Sequence, residues 1–197
     1  MRNGSFGEKH NLTIIDKLGV YLSSYKIIAF VKKNKPAKII DIGCGFNATT
    51  LNQLKKYSTD LIGVDSKINS ALSAIKKIEK DIYNDLSFLE SDSADLIILN
   101  SVLEHLSYPQ EILNEIYRVL NKNGTLILNA PNWLGKYFLE LSAFKFHLSP
   151  INEMNDHKMY YNKKDIWPLF IKGGFKPKNI KIKYHKLFLN TICYAKK

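Results

Sequence analysis

Asp41, Gly43 and Gly45 recur at every second position in the run Ile39-Ile40-Asp41-Ile42-Gly43-Cys44-Gly45-Phe46-Asn47-Ala48-Thr49. Glycines let the backbone take positive φ and let a ligand approach bare main chain. The apolar residues that enter the run read as a buried strand breaking into a tight turn. If a helix follows, such a turn offers unpaired N–H groups to a polar ligand. Gly43-x-Gly45-x-x-Ala48 formally satisfies the dinucleotide pattern G-x-G-x-x-G/A. Asp41 argues for another ligand, since a strand-end carboxylate suits an ammonium group and is out of place beside a pyrophosphate. Asp65 follows Gly45 by twenty residues, at the end of a second apolar run. A carboxylate there can accept both hydroxyls of a ribose.

A second group of residues could move protons. Histidine titrates near neutral pH and serves as a general base. The candidates are His105, His147 and His157, with His10 and His185 behind them; His157, just before Tyr160-Tyr161, and His105 are preferred. Glu104-His105 invites a metal reading. Neighbours in sequence do not share a helix face, however, and no second cluster completes a coordination shell, so no metal is expected. Cys44 and Cys193 are the only cysteines and lack metal-type spacing. Cys44 fits the glycine turn as a small side chain.

The elements that must position these residues follow from periodicity. Leu12, Ile15, Leu18, Leu22, Tyr25, Ile28 and Ala29 have helical spacing over 12–33, and Asn34-Lys35-Pro36 ends that helix. Strands are expected at 38–42, 60–65, 95–100 and 125–129, with helices at 49–57 and 109–120 and a turn at Asn123-Gly124. Residues 68–80 predict a short helix and then a weak strand reaching Ile82. Strands alternating with helices argue for a parallel sheet covered on both faces. Beyond Pro131 the aromatic residues Trp133, Tyr137, Phe138, Phe144 and Phe146 crowd a segment of mixed periodicity. A helix over 164–172, stopped by Gly173-Gly174, and an antiparallel strand pair near 179–184 and 188–195 complete the chain.

The chain has 197 residues, 45% of them hydrophobic, enough for one domain with a full core. No apolar run approaches the roughly 18 residues of a membrane helix. The first residues lack the apolar core of a signal peptide. A cytoplasmic protein without membrane insertion is expected. Net charge is +11. Residues 163–197 hold ten lysines and one acid, against 19 basic and 17 acidic residues elsewhere. Such a tail can attract nucleic acid. The alternation Lys181-Ile182-Lys183 favours solvated lysines on a half-buried strand, which also deter edge pairing.

Asp41-Ile42-Gly43-Cys44-Gly45 resembles the first motif of class I S-adenosylmethionine-dependent methyltransferases. Ser93 to Ile98 with Val102 to Leu106, then Arg118 to Leu126, and then Gly174-Phe175 resemble later family segments in the same order. The resemblance spans about residues 36–195. It implies a Rossmann-like, doubly wound, mostly parallel seven-stranded sheet with an antiparallel last strand, in a single domain. The expected parts are an N-terminal helical segment (1–35), a cofactor-binding core (36–131), an acceptor-side cap (132–161) and a C-terminal helix with an antiparallel pair (162–197). S-adenosylmethionine is the implied cofactor and S-adenosylhomocysteine the product. The implied cofactor contacts are Asp41, Gly43, Cys44, Gly45, Asn47, Asp65, Ser66, Asp81, Ile82, Asn100 and Ser101, with Asp85 and Asp92 competing for the place of Asp81. Asn47 stands where the family often has a third glycine, and asparagine tolerates the left-handed geometry expected there. The expected activity is methyl transfer to an oxygen or nitrogen of a small molecule, such as a sugar or lipid-linked precursor. An RNA methyltransferase and a non-catalytic cofactor-binding protein are the alternatives, and the expected state is monomer or homodimer.

Overall fold

The computed structural model describes residues 5–8, 14–82, 85–140 and 156–197. Seven strands form one sheet in the order β3-β2-β1-β4-β5-β7-β6. They are β1 (Lys38–Ile42), β2 (Asp60–Asp65), β3 (Lys76–Glu79), β4 (Ala94–Asn100), β5 (Leu120–Pro131), β6 (Ile180–His185) and β7 (Asn190–Lys196). Pairs among β1 to β5 are parallel, and β7 runs antiparallel to both β5 and β6. Only a few residues join β6 to β7, too few for a parallel crossover, so a hairpin results. The described helices are α1 (Ile14–Asn34), α2 (Thr49–Leu54), α3 (Pro109–Val119), α4 (Trp133–Glu140) and α5 (Lys163–Lys172).

Side chains alternate between the two faces of each strand. Ile40 and Ile42 of β1 join Ile97 and Leu99 of β4 in a core with Ile112, Leu113 and Ile116 of α3 and Ile166 and Phe170 of α5. On the other face Ile39, Leu61, Leu96, Ile98 and Ile127 pack with Ile27 and Val31 of α1 and with Leu51 and Leu54 of α2. The period of two therefore puts Asp41 on the α1–α2 face. Both faces of the central strands are apolar, as a covered parallel sheet requires. Among the described residues no helix is long and apolar enough to cross a membrane.

Three expectations change. No helix precedes β3, where 68–75 form turns and bends, and β3 ends at Glu79, short of Ile82. The run Lys76-Lys77-Ile78-Glu79 holds too few apolar residues for a longer strand, and it pairs only with β2 at the sheet edge. Helix α2 stops at Leu54 in a tight turn, Tyr57 N donating to Leu54 O at 2.8 Å. Asn123-Gly124 lies inside β5, where four residues, 121–124, bulge between the pairs Ala94–Leu120 and Leu96–Thr125.

The chain also makes a helix where the sequence showed mixed periodicity. Gly135 of α4 lets that helix lie on the β6–β7 turn, since a Cβ there would sit 2.1 Å from Leu189 O. His185, at the end of β6, is buried and stacks against Tyr25 of α1 with ring centroids 5.2 Å apart. Its ring nitrogens face the backbone of Leu22 and Ser23 without hydrogen bonds of ordinary geometry. Burial, then the nearby Lys26 charge, pushes its pKa down to about 4 from an ordinary 6.5.

Between those two values the unfolded chain binds a proton that the native state refuses, so stability falls as pH drops. We expect denaturation midpoints to decline from about pH 6.5 toward pH 4. The His185→Phe variant should flatten that limb. An identical acid limb in parent and variant would exclude His185 as its source.

Candidate active site

Strand β1 delivers Asp41 and then breaks. Gly43 and Gly45 both take left-handed geometry, at φ 74° and 73°. The N–H groups of Gly43 and Cys44 donate to Val64 O at 2.8 and 3.2 Å, which ties the turn to β2. A Cβ on Gly43 would lie 2.3 Å from Val102 Cγ2, so the turn admits no larger residue there. Asp41 is 2% exposed, and its Oδ1 has no hydrogen-bond partner among the described residues. Burial, then the charge of Asp65, raises its pKa to about 8. A buried carboxyl in that state is a socket for a cationic group. The ammonium end of an amino-acid cofactor would fit it.

Asp65 closes the opposite side of the turn. Its Oδ2 accepts from Gly45 N and its Oδ1 from Ser66 N, both at 2.8 Å. The hydroxyl of Ser5 also contacts Asp65 Oδ1, and it accepts from Lys67 N at 2.9 Å. Phe46 N donates to Phe6 O at 2.9 Å. Residues 5 and 6 thus lie across the glycine turn, and Ser5 holds the oxygen that a ribose hydroxyl would approach.

One cavity of about 530 Å³ begins at this turn. Asp41, Gly43, Cys44, Gly45, Asp65 and Ser66 line it, and Asp81 with Ile82 extends the lining beyond β3. Asn100 and Ser101 border it at the end of β4. Asn129 fixes that corner, donating from Nδ2 to Asn100 Oδ1 and accepting at its carbonyl from Ser101 N, both at 2.8 Å. Burial pushes the Cys44 thiol up, which leaves it protonated in the turn. Asn47 departs from expectation. Ala48 rather than Asn47 takes the positive φ, at 40°, and Asn47 is outside the cavity lining. Its carbonyl instead accepts from Asn52 Nδ2 at 2.8 Å, which makes Asn47 part of the approach to α2.

The far end of the cavity gathers Glu104, His105 and His157. Glu104 and His105 sit on a 3₁₀ turn, Leu103–His105, just after β4. Residues 156–161 are laid against that turn, with Lys158 N donating to Glu104 O at 2.8 Å and Tyr161 N to Pro131 O at 3.0 Å. His105 Nδ1 meets Asp156 Oδ2 at 3.1 Å, and His157 Nδ1 meets the Tyr160 hydroxyl at 3.1 Å. The two rings lie edge to face with centroids 4.8 Å apart. The sequence holds Glu104-His105 to be an isolated pair. The fold supplies a third donor, His157, from a segment more than fifty residues away.

From the expected cap, Gly135, Phe138 and Leu139 line the cavity. Trp133 and Tyr137 do not. Trp133 packs on Tyr160 with centroids 5.7 Å apart, and Tyr137 is largely exposed. Phe144, Phe146, His147 and His10 lie outside the described residues. His185 stands apart from the cavity, against α1. Sequence reasoning missed Ser5, Phe6 and Lys186 as lining residues. A lone serine near the chain start and one lysine among ten carry no periodic signal.

Residues 40–128 match the family described as "Methyltransferase domain". Ajmaline N-methyltransferase of Rauvolfia serpentina is 29% identical over 131 residues, covering 61% of this chain and 43% of that protein. The chain therefore spans less than half the length of that relative. Carboxy-S-adenosyl-L-methionine synthase of Campylobacter jejuni is 28% identical over 165 residues, covering 71% of this chain and 69% of that protein. The structure of Burkholderia thailandensis 1,6-didemethyltoxoflavin-N1-methyltransferase, with bound 1,6-didemethyltoxoflavin and S-adenosylhomocysteine, superposes with a TM-score of 0.65 at 13% identity. That similarity covers 93% of this chain and 81% of the other, and it establishes a shared fold.

Native Asp41 keeps its proton to about pH 8, whereas an ordinary Asp loses it near 3.8. In that window the native state binds more protons than the unfolded chain, so stability falls as pH rises. Asp41→Asn removes this dependence. We expect the variant to outlast the ligand-free parent near neutral pH by on the order of a few kcal/mol. Denaturant titrations across pH 4 to about 8 read the difference. Parallel pH profiles would show that Asp41 is not held in its neutral form.

Proposed function

We propose that this chain, which carries a class I S-adenosylmethionine-dependent methyltransferase domain, transfers a methyl group to an oxygen or nitrogen of a small molecule. The observation that carries the proposal is the continuity of one cavity. It runs from the acidic glycine turn to an imidazole pair beneath an apolar helix. A donor held at the turn and an acceptor held under α4 would share that space, as direct group transfer requires.

The residues divide the work. Asp41 receives the ammonium group, and the bare main chain at Gly43 and Gly45 allows close approach. Asp65 accepts the ribose hydroxyls once Ser5 gives way, and Asp81 with Ile82 borders the base. Bound there, S-adenosylmethionine supplies a methyl carbon made electrophilic by its sulfonium. Asn100, pinned by Asn129, and Ser101 hold the wall between the two ends. Phe138 and Leu139 exclude water and press the acceptor toward the turn. Fixed alignment of this kind supplies several kcal/mol of barrier reduction. His105 and His157 stand where a departing proton must go. Asp156 on Nδ1 of His105 fixes that ring's tautomer and leaves Nε2 as the basic atom. A positioned base contributes ~10²–10⁴-fold.

Calorimetry should show S-adenosylhomocysteine binding and no response to NAD. Asp65→Ala should weaken that binding by roughly 1.5–3 kcal/mol, the value of hydrogen bonds to a charged group. Labelled methyl transfer to a panel of hydroxyl and amine acceptors tests turnover. Tight NAD binding without S-adenosylhomocysteine binding would sink the proposal. So would conversion of the cofactor to a modified nucleoside with no methylated acceptor.

Phe138→Ala separates the two ends of the cavity. It should cut acceptor turnover while S-adenosylhomocysteine affinity stays within about threefold, or roughly 0.7 kcal/mol. An equal loss at both ends would place Phe138 in the support of the fold rather than at the acceptor.

A further inference from the structure

We infer that Glu104, His105 and His157 bind one divalent transition-metal ion at the acceptor end of the cavity, and that the ion takes a hydroxyl-bearing acceptor as a further ligand. The second half rests on the methyltransferase reading, while the first half stands without it. The three side chains each bring one donor atom, and these atoms lie within 4.8 Å of one another. Donors around a four-coordinate ion with bonds of 2.0–2.1 Å stand about 3.4 Å apart, so the set needs to close by roughly an ångström or more. Side-chain rotation on a fixed backbone can supply that. The backbone is fixed, because Lys158 N bonds Glu104 O and Tyr161 N bonds Pro131 O.

The surroundings are those of a ligand set. Metal-bound histidines hold their second ring nitrogen against a carboxylate or another polar group, which sets tautomer and orientation. Both rings meet this condition. Asp156 takes Nδ1 of His105 and the Tyr160 hydroxyl takes Nδ1 of His157, which assigns ligation to Nε2 in each. A general base needs one imidazole and one orienting carboxylate. The Asp156–His105 pair alone would satisfy it, and the convergence of a second oriented imidazole and the buried Glu104 would go unexplained. The competitor for Glu104 is Lys186, which lies within electrostatic reach of it. A doubly charged ion exceeds a lysine in attraction at equal separation.

Two imidazoles with one carboxylate suit zinc-like ions, whereas magnesium and calcium prefer all-oxygen sets. Three protein ligands leave a coordination position open to the acceptor. The ion changes no oxidation state here. With the ion bound, the two imidazoles are ligands and the base role given to them above passes to the ion, which lowers the pKa of a bound hydroxyl whose proton passes to water. The oxygen keeps further lone pairs. One forms the bond to the methyl carbon as the carbon–sulfur bond breaks, and that electron pair returns to sulfur, leaving a neutral thioether. An amine bound to the ion would have spent its only lone pair, so the site selects oxygen acceptors.

The test uses the full chain, without an affinity tag and stripped by a chelator. Zn²⁺ is titrated in competition with a chromophoric chelator, Co²⁺ by its visible absorption, and S-adenosylhomocysteine by calorimetry. One Zn²⁺ per chain is expected. Glu104→Gln and His157→Ala should each weaken it at least tenfold. Asp156→Asn should weaken it by about 10- to 100-fold, as loss of a ligand's orienting partner does. All three variants should keep parental S-adenosylhomocysteine affinity, which certifies their fold. Absence of saturable metal binding in the parent would overturn the inference, as would binding indifferent to His157→Ala. Undiminished methylation by the stripped chain would overturn the acceptor half. If S-adenosylhomocysteine fails to bind while Zn²⁺ binds through these residues, the metal site stands and the methyltransferase reading falls.

Discussion

The buried carboxyl of Asp41 is the constraint around which this cavity is arranged. It sits near the end of β1, an inner strand of the sheet, 2% exposed, with an oxygen that no described residue satisfies. Removing a carboxylate from water without a partner is among the costliest things a fold can do. The chain tolerates it because β1 is otherwise apolar on both faces and is paired on both edges, to β2 and β4. A rigid central strand cannot retract to let water in. Burial therefore favours the neutral form of the carboxyl. The second acid, Asp65, takes the opposite course. It is satisfied by Gly45 N, Ser66 N and Ser5 at the edge of the cavity. Two carboxyls on neighbouring strands thus differ in their hydrogen-bond supply.

This arrangement follows from the direction of the sheet. In parallel strands every carboxyl end falls on one side, and loops from β1, β2 and β4 must meet there. The glycine turn, the Asp65 corner, the Asn100–Asn129 clamp and the 3₁₀ turn carrying Glu104 and His105 are successive exits of that kind. Antiparallel β7 changes the neighbourhood at the other end of the sheet. Its hairpin with β6 brings Lys186 and Leu189 back to the cavity side, where Gly135 lets α4 settle on them. The end of the cavity under α4 is consequently assembled from segments distant in sequence, and the end at the glycine turn from short local turns.

That contrast explains what the sequence could and could not say. The geometry of the glycine turn was legible, since Asp41, the glycines and Asp65 are fixed by local strand-turn chemistry. The strand ranges of β1, β2 and β4 follow from apolar runs that no helix could use as well. The region before β3 was misread because a lysine-rich stretch carries no dominant period, and only pairing to β2 decides its conformation. The left-handed angle falls on Ala48 rather than Asn47 because several residues of a turn can carry it, and packing of Ala48 into the α1–α2 core chose that one. Glu104-His105 was legible as a pair and not as part of a triad. His157 reaches it through backbone hydrogen bonds of 156–161, which leave no pattern in residue types.

The excess of lysine near the C-terminus finds its account in the same geometry. Strand β6 is an edge of the sheet, with an open row of backbone groups. Lys181 and Lys183 are exposed on it, and charged side chains there oppose pairing with another chain. Other lysines of this segment are engaged within the fold. Lys197 Nζ donates to Asp92 Oδ1 at 2.7 Å and to Leu120 O at 2.8 Å, closing the end of β7 on the α3–β5 junction. Lys163 Nζ lies 4.3 Å from the centroid of the Tyr184 ring. A surface built to hold a polyanion would keep its cations convergent and uncommitted. Here some are spent on a strand edge and others on neighbouring oxygens and rings, so protection of the edge accounts for the charge more directly than a nucleic-acid partner does.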